Sequence, residues 1–151
     1  MFVETVRHRI RLVKPRSFAG LMALYESNHA RLRQLLGDVT ALPALAVSSS
    51  ETDLQLHVTR SERCRYTTSL HMTYHFEAAD GVQCDPDLLL RIYHDARLAE
   101  AVSCCDRPRH AALRGIWLPA GSELDRRWSL NIMLNKWLEY CLDHGHEFRS
   151  A

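Results

Sequence analysis

The chain has 151 residues, 46% hydrophobic and 25% charged, with 19 basic side chains against 18 acidic ones. This is the length of one domain, at which folding buries roughly 70% of the unfolded surface without staples. The composition excludes a disordered chain, and a formal charge of +1 gives no overall field for drawing in nucleic acid or anionic lipid.

No apolar run approaches the ~20 residues of a membrane span. The opening stretch, MFVETVRHRIRLVKPR, lacks the apolar core and small-residue cleavage site of a secretory signal. A cytoplasmic protein that does not engage the membrane is expected. Cys64, Cys84, Cys104, Cys105 and Cys141 are odd in number and irregularly spaced, which fits reduced thiols better than a disulfide framework. Arginines number 17 against 2 lysines. That bias suits bidentate contacts to carboxylate or phosphate, and it also suits a GC-rich genome.

Residues 1–16 form a basic arm: Arg7, Arg9, Arg11, Lys14 and Arg16 face Glu4 alone, for a net +4. The spacing of Leu21, Tyr25, Asn28, Leu32 and Leu35 predicts a helix over 17–36, with Ser17 to cap it and Gly37 to end it. Pro43 and the serine run make 38–50 a loop. Strict alternation predicts a strand over 53–60, with Leu54, Leu56 and Val58 on one face. A second strand covers 65–76, with Tyr66, Thr68, Leu70, Met72, Tyr74 and Phe76 sharing a face. A loop over 77–87 leads to a third strand at 88–94.

A tight turn at Asp95-Ala96 then gives a hairpin with a fourth strand at 97–104, although RLAEAV also has fair helix propensity. Residues 105–110 read as a loop and 111–117 as a short edge strand. After the break at PAGSE, a stripe of Leu124, Trp128, Asn131, Leu134, Leu138 and Cys141 predicts a long helix over 124–143, ended near Gly145. The expected fold is therefore α+β: an N-terminal helix, four or five antiparallel strands and a long C-terminal helix in two layers. Residues 17–147 form the single domain behind the arm.

The hairpin carries the densest chemistry. A turn centred on Asp95-Ala96 pairs Arg91 with Glu100, Tyr93 with Leu98, and Leu89 with Val102. Arg91 and Glu100 then lie about 5 Å apart at Cβ, with His94 and Asp95 at the turn. One reading is a cross-strand ion pair beside a turn-forming aspartate. The other is an Arg-His-Asp-Glu cluster that holds a phosphate or carboxylate and moves a proton. Asn28 and Asn131 interrupt apolar helical stripes. They either bond one another and fix helix packing, or line a polar pocket with Glu26 and Asp125.

No metal is expected. His71 and His75 share a strand face but lie about 13 Å apart along it. His144 and His146 flank Gly145, and no HExxH or CxxC pattern occurs. The vicinal Cys104-Cys105 pair is geometrically poor for a disulfide. With no GxSxG, GxGxxG or P-loop, no cofactor is expected either.

Several segments together resemble the YqiB-like proteins. They are Leu21 to Asn28, Leu32 to Leu36, Arg65-Tyr66-Thr67-Thr68, Arg91 to Ala96 with Ala99-Glu100, and Asn131 with Trp137 to Gly145. They occur in the same order over residues 21–145. The resemblance implies a bacterial domain with no established catalytic residue or cofactor, so it assigns no site.

The expected function is a non-enzymatic binding or regulatory domain that recognises a protein partner or a small anionic ligand. Its candidate residues are Arg65, Arg91, His94, Asp95 and Glu100, backed by Glu26, Asn28 and Asn131. A hydrolase of a phosphorylated or nucleotide substrate, with His94 as acid or base and Asp95 or Glu100 orienting it, is the alternative. A nucleic-acid partner is disfavoured, since the basic arm lacks interleaved aromatics. The free face of the sheet leaves room for a homo-oligomer.

Overall fold

Ser17 opens the first helix by accepting the Gly20 N–H on its hydroxyl at 3.0 Å, a cap that contributes about 1 kcal/mol. In this computed structural model, which describes residues 16–78, 81–104 and 122–148, helix α1 runs Phe18–Leu36. It ends where Gly37 adopts φ 69°, a left-handed conformation that glycine takes without Cβ strain. Five strands follow: β1 Leu45–Ser50, β2 Asp53–Arg63, β3 Thr67–Ala78, β4 Gly81–Tyr93 and β5 Leu98–Cys104. Helix α2, Glu123–Asp143, closes the described chain. The strands form one antiparallel sheet in the order β1-β2-β3-β4-β5.

Both helices pack on one sheet face. That face is built by alternation: Leu56 and Val58 of β2, Leu70, Met72 and Tyr74 of β3, Leu88, Leu90 and Ile92 of β4, and Ala99 and Ala101 of β5 are all buried. Trp137 of α2 is fully buried among them and meets Tyr74 edge-on, ring centroids 5.4 Å apart. Burial of each large apolar side chain contributes about 1.5–3 kcal/mol. Ser122 and Asp125 cap α2 with a reciprocal pair of side chain–backbone bonds.

Three local expectations need correction. Residues 38–50 are not a loop throughout. A 3₁₀ turn at Val39–Ala41 leads into β1, which pairs with β2 through Ala46–Val58 and Ser48–Leu56. Likewise, 81–87 belong to β4. The ladder runs from Ala78–Gly81 onward and skips register between Thr73 and His75, so Asp85 and Pro86 fall in a bulge. Proline is tolerated there because no ladder hydrogen bond is asked of it. Finally, Leu54 and Tyr66 are exposed at strand margins.

The hairpin forms as a strand pair, not a helix. Arg91–Glu100 and Tyr93–Leu98 are in the expected register, while a shift between Leu89 and Leu90 pairs Leu89 with Ser103 instead of Val102. The connecting turn spans His94 to Arg97, and Arg97 takes φ 55°. The basic arm up to residue 15, the edge strand expected at 111–117, Cys105 and most of the PAGSE break lie outside the described residues. No helix among the described residues is long and apolar enough to cross a membrane.

Candidate anion-binding cleft

Alternation along β4 decides where its polar residues go. Arg91 and Tyr93 project to the face away from the helices, while Ile92 and His94 project toward them. The sequence cluster is thereby divided. On the outer face, Arg91 stands opposite Glu100, and the Tyr93 hydroxyl donates to Glu100 Oε1 at 2.6 Å. Because β5 is the last strand of the described sheet, Glu100 at its margin also comes close to Tyr25 of α1. Burial, and then the Glu100 carboxylate, push the Tyr25 hydroxyl up to about 12. This is a polar ladder along the sheet edge, with Arg91 itself exposed.

On the other face, His94 looks into a cleft between the end of β4 and the last two turns of α1. Leu32 and Ile92 floor it, and His29, Arg33, Asp38 and His94 rim it; it encloses about 50 Å³. The His94 ring is held by Thr68, whose Oγ1 lies 2.8 Å from Nε2, and its backbone N–H donates to the Tyr66 carbonyl at 2.9 Å. His29 is pushed below the ordinary histidine range, first by burial and then by Arg33, Arg97 and His94. Asp38 accepts from the Thr40 hydroxyl and N–H, which keep its carboxyl low. Arg97, in a left-handed conformation at φ 55°, is close enough to act on His29. Such a backbone costs about 1–3 kcal/mol in a non-glycine residue and recurs at ligand clamps.

The other candidates lie apart. Arg65 is exposed and stacks its guanidinium over Tyr66, 5.1 Å from the ring centroid. Asp95 turns back on its own loop and accepts the Ala96 N–H at 3.0 Å. Glu26 is half-buried on α1. Asn28 and Asn131 are wholly buried between the helices: Asn28 Nδ2 donates to Asn131 Oδ1 at 3.2 Å, and Asn135 donates to Asn28 Oδ1 at 3.0 Å. His71 approaches Asp87 at 3.4 Å, and His75 stacks on His57 with ring centroids 3.8 Å apart. Among the described residues, no three histidine, cysteine or acidic side chains converge as a metal site would require.

A family described as "Protein of unknown function (DUF1249)" matches residues 31–147. The chain belongs to this family. It is 33% identical over 128 residues to "Uncharacterized protein YqiB" of Escherichia coli strain K12, an alignment covering 85% of this chain and 90% of that one. The same figures hold for proteins of that name in E. coli O6:H1 and O157:H7. No solved structure matches. The DUF1249 span takes in Arg33, His94 and Arg97 and begins two residues beyond His29.

Sequence reasoning missed one further polar network in this DUF1249 chain. Ser48 Oγ lies 2.9 Å from His146 Nδ1, and His146 Nε2 lies 2.8 Å from Asp53 Oδ2. The Tyr74 hydroxyl donates to the same aspartate oxygen. A serine–histidine–aspartate chain invites a hydrolytic reading. Here, however, Ser48 is 3% exposed and His146 2%, and Ser48 Oγ also accepts the Glu147 N–H at 3.1 Å. The network ties the segment after α2 to β1. Its only signal in the sequence is a serine at an inward position of a strand that reads as a loop.

Proposed function

We propose that the protein is a non-catalytic binding domain whose cleft beside His94 recognises a small anion. One observation carries the reading: two imidazoles and the Arg33 guanidinium, with the Asp38 carboxylate on the same rim, line a concave, apolar-floored surface. Arginine and protonated imidazole are charge-assisted donors, which form the stronger hydrogen bonds to oxyanions. The hydrolase alternative draws less support. The Asp95 carboxylate is engaged with Ala96 N–H, and Glu100 lies on the opposite sheet face from His94.

Thermal melting tests the reading. Sodium sulfate at millimolar concentration should raise the wild-type Tm above that in sodium chloride of equal ionic strength. Arg33→Ala should lose the difference, and Arg91→Ala should keep it. Because sulfate also stabilises proteins by surface exclusion, the comparison between variants is decisive. An equal rise in wild type and Arg33→Ala rules the cleft out.

A further inference from the structure

We infer that β1 is an interaction edge and that its occupant is β1 of a second copy of this chain, paired antiparallel across a twofold axis. Backbone polarity points there first. The Arg60 N–H donates to the Ala44 carbonyl at 2.8 Å, and Leu45 to Ser48 stand opposite Thr59 to Leu56. Hydrogen bonds alternate along an antiparallel ladder. Ala46 and Ser48 therefore bond to β2, while Leu45 and Val47 turn their N–H and C=O groups off the sheet. Among the described residues no strand lies beyond β1. Such a row of donors and acceptors is a template that another extended strand matches.

The side chains at the same positions are apolar. Leu45 is 59% exposed and Val47 47%, and Leu54, beside the bulge in β1, is 43% exposed. The strand, LAVSSS, carries no charge, so it lacks the lysine or other charge that commonly guards an open edge. For the same reason two copies of it meet without repulsion. The register follows from what brackets the open window. Pro43 has no N–H to offer, and the ladder slips at Ser49. Setting Leu45 against Val47 of the second copy places these two breaks opposite each other. Twofold symmetry then makes the apolar pair twice.

The opposite margin of the sheet limits the assembly to two chains. On β5, the N–H and carbonyl of Ala101 are already taken by Asn131. A chain with one open edge closes as a dimer, whereas two open edges would let strands add without end.

Sedimentation velocity of the full chain tests the pairing. The mass should shift from one chain to two as concentration rises from micromolar to near-millimolar, since so short a contact makes a weak dimer. Over the same change, hydrogen exchange across 44–48 should slow at about two amides, because the Leu45 and Val47 N–H groups gain acceptors. Leu45→Lys combined with Val47→Lys sets like charges opposite each other and should weaken the dimer by about tenfold or more. Leu45→Lys combined with Val47→Glu sets opposite charges across the same pairs and should keep the affinity within about threefold of wild type. Circular dichroism checks that both variants fold.

Arg91→Ala, on the open sheet face, should dimerise as wild type does. A monomer at every concentration overturns the inference, and slow exchange at Leu45 and Val47 in that monomer assigns the edge to another segment of the same chain. Equal dimerisation by the two double variants overturns the pairing of Leu45 with Val47. Loss of the dimer in Arg91→Ala overturns the edge as the contact and moves it to the open face.

Discussion

Asn131 holds both backbone polar groups of Ala101: its Oδ1 accepts the Ala101 N–H at 2.7 Å and its Nδ2 donates to the Ala101 carbonyl at 3.3 Å. Among the described residues strand β5 pairs with β4 alone, and those two groups face α2 instead. An amide side chain presents a donor and an acceptor side by side, as a neighbouring strand would. Asn131 thus hydrogen-bonds helix α2 to β5, and the same Oδ1 receives Asn28 from α1. One asparagine joins two helices and a strand.

Asn131→Leu should accordingly destabilise the fold. The leucine supplies apolar volume but leaves the Ala101 N–H and carbonyl buried without partners, each at about 1–3 kcal/mol. A total loss of about 2–4 kcal/mol is expected, read from urea denaturation with an unchanged m-value. An equal or higher midpoint would show that the pairing is dispensable.

His146→Ala should release the segment after α2. The substitution strips a partner from Ser48 and from Asp53, which lie in a buried setting. It also unseats the backbone that reaches Phe148, whose N–H donates to the Leu35 carbonyl. Hydrogen exchange should rise across 144–148 and β1, with stability falling by about 2–4 kcal/mol. Faster exchange confined to 146 itself would show that the network holds nothing beyond that residue.

Much of the architecture was legible because burial writes a period into the sequence. The stripes of α1 and α2 and the alternation at 56–58 and 68–74 mark the faces that meet in the core. Where polar residues are spent on tertiary partners, that signal fails. Ser48 and Ser50 read as loop because their hydroxyls are matched by His146 and by the His144 carbonyl, nearly a hundred residues away in sequence. Pro86 reads as a breaker because nothing local announces the bulge that accommodates it. For the site, parity along β4 was available all along: Arg91 and His94 differ by an odd number of residues, so a regular strand sends them to opposite faces. The residues that share the cleft with His94, namely His29 and Arg33, come from a helix whose approach no local pattern encodes.

Arg91→Ala should be nearly silent. Arg91 is exposed, and its contacts with Glu100 across the ladder and with Tyr93 two residues along its own strand are screened by solvent. Such pairs contribute about 0.2–1 kcal/mol. A Tm within a degree or two of wild type is expected. A loss comparable to that of Asn131→Leu would mean that the ladder, not the helix seam, secures β5.

Stability should fall as the solution is acidified from pH 7.5 to 5.5. His29 is held below the ordinary histidine value by burial first and then by its cationic neighbours. His57 is held below it by burial first and then by the stacked His75. In the unfolded chain both titrate near about 6.5. Below that pH the unfolded state binds protons that the folded state refuses, and unfolding gains free energy. The contribution is therefore fully present above about pH 6.5 and is lost as pH falls through the depressed folded values. Denaturant midpoints across this range should drop for wild type and flatten in His29→Gln and His57→Gln. A midpoint that rises on acidification would place both histidines in surroundings opposite to those described.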